Sequence, residues 1–206
     1  MSVAFAAAGV VAVLAVVLAF KLTGGNGNGS VSSAPTTPNT SALIGVQTGP
    51  APWNPGLDHL PDRIQPLGLT EIGGEGQGVV LHIHAHLDIY VNGKKETVPG
   101  GIGIYNTAGG FLTELHTHDA TGVIHIESPT KRQFSLGEFL GVWGVRFTDK
   151  CVGGYCKLKT PWRVYVNGLN YPGNPVDLIL KAHQEIAIVI GSRPRTVPST
   201  YNFGGL

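Results

Sequence analysis

From Val79 to Val91 the chain alternates apolar and polar residues with a period of two. Leu81, Ile83, Ala85, Leu87 and Ile89 take one set of positions, and His82, His84, His86, Asp88 and Tyr90 take the other. Successive side chains of an extended strand point to opposite faces, so the pattern predicts a strand with one apolar face and one face of imidazoles. Asn92-Gly93 follows, a pair that tolerates the positive backbone angles of a type I′ turn, and Glu96-Thr97-Val98 begins the return strand. Phe111 to His118 and Gly122 to Glu127 predict two more strands, joined at Asp119-Ala120-Thr121-Gly122. In the second, Ile124 and Ile126 face one way and His125 and Glu127 the other.

The period then changes. Ser135 with Glu138 three residues later has the form of a capping box, and Phe139, Leu140, Val142 and Trp143 follow at helical spacing, so a short helix is expected, ended by Gly144. Val145-Arg146-Phe147 resumes strand character, Trp162 to Val166 alternates into a second Asn-Gly turn at Asn167-Gly168, and Ile186 to Ile190 reads as a last buried strand. Asp88 to Gly93 and Arg163 to Gly168 share the sequence Ile/Val-Tyr-Val-Asn-Gly. Two such hairpins packed face to face would make a small sandwich, although hairpin chemistry alone accounts for the match. The expected fold is mainly β, a small β-sandwich or barrel-like domain over residues 78–198 with one short helix.

The start of the chain is different. Val3 to Phe20 is an unbroken run of Ala, Val, Leu, Phe and one Gly, closed by Lys21. A helix of about 20 such residues spans a hydrocarbon layer roughly 30 Å thick. No basic residue precedes the run and no small-x-small cleavage site closes it, so a retained single transmembrane anchor at 1–22 is favoured over a cleaved signal peptide. Residues 23–55, rich in Gly, Asn, Ser, Thr and Pro, bury too little apolar surface to offset ordering and are expected to be a flexible linker. Trp53, Leu57, Leu60, Ile64, Leu67 and Leu69 bring back apolar groups, and residues 56–77 are expected to form an irregular strap along the domain surface, with 199–206 left as a tail.

Charge narrows the range of functions. A formal net charge of +1 with 13% charged residues and no basic cluster provides no electrostatic footprint for a nucleic-acid backbone, so no nucleic-acid partner is expected. The two cysteines stand in Cys151-Val152-Gly153-Gly154-Tyr155-Cys156, where Gly-Gly can turn the chain; a disulfide is favoured over a reduced pair or thiolate metal ligands. A disulfide would place the domain outside the cytoplasm, against the weak opposing vote of Lys21 after the apolar run.

The histidines carry the chemistry. Because the odd positions of the first strand form its apolar face, His82, His84 and His86 lie outside the main core, and His116 and His118 repeat the alternation in Leu115-His116-Thr117-His118-Asp119. Neutral imidazole is the commonest biological metal ligand, and residues i and i+2 of one strand can chelate a single ion. The preferred ligands are His84, His86, His116 and His118, with His82 and His125 in reserve; Asp88, Glu114, Asp119 and Glu127 could add ligands or orient the rings. His59 and His183 stand alone. With Met1 the only methionine, Zn(II) or Cu(II) fits better than Cu(I). The other account of these residues is a polar strand face that carries imidazoles and responds to pH.

The His-x-His pairs resemble the coordination habit of carbonic anhydrases, cupins and multicopper oxidases, but the glutamate and glycine-proline-glycine-histidine pattern of cupins and the cysteine ligand of multicopper oxidases are missing. From Leu81 to Leu206, the His-rich strand, Leu115-His116-Thr117-His118-Asp119 and the Ser-Leu-Gly-Glu-Phe-Leu-x-x-Trp-Gly stretch from Ser135 to Gly144 resemble a bacterial type of membrane-anchored, His-rich β-domain protein. That resemblance implies placement at a membrane and says nothing of an activity or mechanism. Three functions follow as expectations: an anchored extracytoplasmic domain that stores, delivers or senses Cu(II) or Zn(II); a zinc-dependent hydrolase or hydratase; or an accessory subunit whose anchor packs against partner helices of a membrane complex.

Overall fold

In a computed structural model, the structure describes residues 40–73, 76, 78–106 and 109–206, besides Met1. The expected anchor at 1–22 and linker residues up to 39 otherwise lie outside the described residues. Among those described, no helix is long and apolar enough to cross a membrane.

The described elements run α1 (Leu60–Ile64), β1 (Glu71–Ile72), β2 (Leu81–Val91), β3 (Lys94–Glu96), β4 (Ile104–Tyr105), β5 (Phe111–Thr113), β6 (Leu115–His116), β7 (Val123–Ser128), α2 (Leu136–Trp143), β8 (Cys151–Val152), β9 (Tyr155–Cys156), β10 (Trp162–Val166), β11 (Leu169–Asn170) and β12 (Gln184–Ile190). The fold is mainly β. A seven-stranded sheet has the order β11-β10-β12-β2-β7-β6, with β3 also paired to β2; β1-β5-β4 form a second sheet and β8-β9 a hairpin.

β2 organises the large sheet. Along one flank it pairs antiparallel with β7 over Leu81 to His86 and with β3 over Ile89 to Val91; along the other it runs parallel to β12. Between β7 and β3 the Leu87 amide donates to the Gly122 carbonyl at 2.9 Å. Gly122 has φ +93°, and a Cβ there would lie 2.5 Å from the Leu87 carbonyl oxygen, so both backbone conformation and close approach call for glycine. Asn92 and Gly93 turn the β2–β3 hairpin with φ of 50° and 82°, as their type I′ chemistry predicts.

The core is built on one face of this sheet. Leu87, Ile89, Leu115, Ile124, Ile126, Ile186, Ile188 and Ile190 are buried in one cluster with Leu136, Phe139, Leu140 and Trp143 of α2. Ser135 and Glu138 close the expected capping box, and Gly144 ends α2 in the left-handed region. The opposite face carries a smaller apolar cluster, Tyr90, Tyr165, Ala187, Val189 and Val197. Beside that cluster the same face holds the histidines.

Several details differ from expectation. The hairpins β2-β3 and β10-β11 do not pack face to face; both lie in one sheet, separated by β12. β12 is buried along its whole length, and a strand apolar on both sides is suited to the middle of a sheet. The segment 111–118 is not one strand: it leaves the small sheet at Glu114, whose buried carboxylate accepts from the Thr70 amide at 2.9 Å and the Ser128 hydroxyl at 2.5 Å, and enters the large sheet as β6. Val145 and Phe147 make only isolated bridges, to Gln47 and Val152.

Described residues of the expected linker and strap, from Thr40 to Arg63, pack against the domain. Thr40 is buried and its hydroxyl accepts from the Phe147 amide at 2.8 Å. Trp53 meets Trp143 edge-on at 5.7 Å, and the Trp143 indole donates to the Asn54 carbonyl at 2.7 Å. Arg63, only 1% exposed, donates to the Gly141 and Val142 carbonyls at the end of α2, each at 3.0 Å, and to the carbonyls of Ile44 and Gly56. One guanidinium therefore fastens the strap to the helix C-terminus, where the helix dipole favours a cation. Cys151 and Cys156 form a disulfide across the β8-β9 hairpin.

Candidate metal centre

The register of three strands assembles the site. His84 on β2 is directly opposite His125 on β7, and His125 is directly opposite His116 on β6, so the three rings form a row across the sheet. His82 faces Glu127 one pair further along, and His118 follows two residues beyond His116. Cross-strand partners share a face. The alternation that buries Leu115, Ile124 and Ile126 therefore turns His116, His125 and Glu127 onto the side occupied by His82 and His84.

Distances within this row suit coordination. The Nε2 atoms of His82 and His84 are 3.2 Å apart, and those of His116 and His118 are also 3.2 Å apart. Two nitrogens bound to one tetrahedral ion at 2.0–2.1 Å would be separated by about 3.3 Å. His125 lies between the pairs, with its ring centroid 4.6 Å from that of His84 and 4.4 Å from that of His118. The five rings form two triads, His82/His84/His125 and His116/His118/His125, each with one ligand atom per residue and all three atoms within 4.8 Å of one another. His84, His116 and His125 are buried, while His82 and His118 are exposed and open the site to solvent.

The surroundings prepare these rings as ligands. The His116 Nδ1 lies 2.9 Å from the Thr113 carbonyl oxygen, an acceptor that fixes the proton on Nδ1 and makes Nε2 the ring's lone-pair nitrogen. Burial, followed by the neighbouring His116, His118, His84 and His82, pushes His125 down to about 3. Burial and then His82 also lower His84, with Glu127 opposing. Both rings are therefore neutral at pH 7, the form a metal requires.

Glu127 completes the arrangement. Its side chain is fully buried; Oε1 is 3.4 Å from His82 Nε2 and 3.8 Å from His116 Nε2, and among the described residues no hydrogen-bond partner satisfies it. The other oxygen, Oε2, accepts from the Gly76 amide at 3.2 Å. A buried carboxylate oxygen without a donor is costly unless a cation approaches it. This one points between the two histidine pairs.

His86 is placed differently from the other five. Its Nε2 donates to the Thr121 carbonyl at 2.9 Å, and its Nδ1 is 2.7 Å from a Glu185 carboxylate oxygen, so a shared proton holds that contact. The ring is covered by Tyr201, stacked at 3.7 Å. His86 lies outside both histidine triads, in a third, buried group with Asp88 and Glu185 whose ligand atoms are also within 4.8 Å of one another, with both of its ring nitrogens engaged. Asp88 is in turn 2.6 Å from the Lys95 ammonium and accepts from the Tyr90 hydroxyl at 3.1 Å. Burial raises Glu185, while its bond to His86 opposes the rise.

Glu185 is a member of this group that the sequence pattern does not single out. Its only local signal is a carboxylate between the core-facing Gln184 and Ile186, and its partnership with His86 depends on the parallel β2–β12 register. Of the other candidates, Glu114 is consumed by structural bonds, and Asp119 is held by the Thr121 hydroxyl and amide, which lower it. His59 is beside Asp62 at the surface, and His183 stacks on Phe203. No protein-family model, curated protein or solved structure matches the chain, so the site's own chemistry carries the functional reading.

Proposed function

We propose that the histidine face binds a transition metal, Zn(II) or Cu(II), for storage, delivery or sensing. In this reading the domain lies outside the cytoplasm and is held at a membrane by the apolar segment 1–22. The observation that carries the metal reading is the pairing of two Nε2–Nε2 separations of 3.2 Å with a buried Glu127 oxygen that has no hydrogen-bond partner among the described residues and lies within 4 Å of one histidine of each pair. Neutral imidazoles and one carboxylate form a donor set for borderline metals, with no thiolate to favour softer ones. The Cys151–Cys156 disulfide supports an oxidising compartment.

The test is retained metal. Full-length chain is loaded with Zn(II) or Cu(II), dialysed and assayed for metal beside His84→Gln and His118→Gln. Each substitution is expected to lower retention sharply, and His118, being exposed, can be replaced without disturbing the core. Wild-type protein that retains no metal, or variants that retain as much as wild type, would remove the proposed ligand set.

A further inference from the structure

We propose that this face holds two metal ions, one on His82 and His84 and one on His116 and His118, with His125 shared between them and Glu127 on their boundary. The proposal rests on the metal-binding reading and adds the number of ions and their linkage. Two ligands of a single ion lie no more than about 4.2 Å apart when each bond is near 2.1 Å. The two histidine pairs satisfy that limit separately, each at 3.2 Å, and His125 has a ligand atom within 4.8 Å of both members of each pair, close enough for a small ring movement to bring it in. An ion on either pair leaves the other pair's chelating geometry intact.

His125 lies between the pairs, with its ring centroid 6.5 Å from that of His82 and 5.2 Å from that of His116. Its ring is nearly perpendicular to His84, at 86°, and to His118, at 88°, with the two centroid distances differing by only 0.2 Å (4.6 against 4.4 Å). Its Nδ1 is buried without a hydrogen-bond partner among the described residues. For one imidazole to serve two ions it must use both nitrogens, so the ring's single N–H proton passes to water as the second ion binds. Glu127 is placed in the same way: Oε1 is within 4 Å of one histidine from each pair, His82 and His116. A single buried negative charge between two divalent ions lowers their mutual repulsion, and solvent entering beside the exposed His82 and His118 can complete both coordination shells.

The experiment is equilibrium dialysis of the full-length chain against Zn(II) at pH 7.5, followed by electron paramagnetic resonance of the Cu(II)-loaded protein. The expected plateau is two ions per chain, falling to one in His82→Gln/His84→Gln. Loading with two equivalents of Cu(II) is expected to give magnetically coupled ions, with less signal per copper than one equivalent gives. A plateau of one ion would overturn the two-ion proposal and leave the metal site standing; a plateau of zero would overturn both. Two ions retained by the double variant would locate the second elsewhere and overturn the assignment of one ion to each pair. Two magnetically independent copper signals would refute the shared His125.

Discussion

Replacing His125 by Gln should make the metal-free protein less sensitive to acid. His125 sits in the middle of the imidazole row, and burial together with four neighbouring histidines pushes it from an ordinary value of 6.5 down to about 3. An unfolded chain would take up a proton there near pH 6.5, whereas the folded protein resists until about pH 3, so the unfolded state binds more protons between those values. Stability is therefore intact above pH 6.5 and lost progressively as the pH falls towards 3. Between pH 7 and pH 5 the linkage relation assigns His125 a loss of at most about 2 kcal/mol, reduced to roughly 1 kcal/mol by partial solvent screening. His84 is lowered by the same causes and adds to the loss. The assay is urea unfolding at pH 7 and pH 5 in the presence of a chelator, for wild type and His125→Gln. The variant should lose less stability on acidification by about 1 kcal/mol. An equal loss in the two proteins would refute the claim that the folded row resists protonation at His125.

Four other outcomes follow from particular contacts. Glu127→Gln should weaken metal retention by roughly 10- to 100-fold without destabilising the metal-free fold, because it removes a buried charge whose Oε1 has no hydrogen-bond donor among the described residues; dialysis with Zn(II) and urea unfolding measure the two effects separately. Arg63→Lys should destabilise the domain by about 2–3 kcal/mol in urea, since an ammonium cannot reproduce the fork that reaches four carbonyls. Ser135→Ala should cost about 1–2 kcal/mol through loss of the capping box, again read from the urea midpoint. Replacing Cys151 and Cys156 by Ser should cost about 2 kcal/mol by the loop-entropy argument and leave metal retention unchanged, because neither residue is in a histidine triad.

Local periodicity makes much of this molecule legible in its sequence. The alternation of β2 separates the imidazoles from the core, both Asn-Gly turns fall where strand patterns meet, and Ser135 with Glu138 marks the start of α2. Long-range pairing is not legible in the same way. By local pattern His125 is a lone residue on its own strand, and only the β2–β7–β6 register places it opposite both His84 and His116. His86 shares the alternation of His82 and His84, yet the parallel neighbour β12 brings Glu185 beside it and engages its ring. Trp53 is legible as an apolar group returning after the Gly- and Pro-rich stretch, but its place in the core and the burial of Arg63 within α1 are not, because carbonyls and rings from distant segments supply those contacts.

The most direct measurement of the central claim is X-ray absorption on Zn(II)-loaded full-length protein. Imidazole nitrogens at about 2.0–2.1 Å should dominate the first shell, with ring scattering from two or three histidines per ion. His86→Phe should leave that shell unchanged, whereas His84→Gln should reduce it. A first shell without histidine scattering, or one that loses histidine in His86→Phe and keeps it in His84→Gln, would contradict the assignment of the metal to the His82, His84, His116, His118 and His125 face.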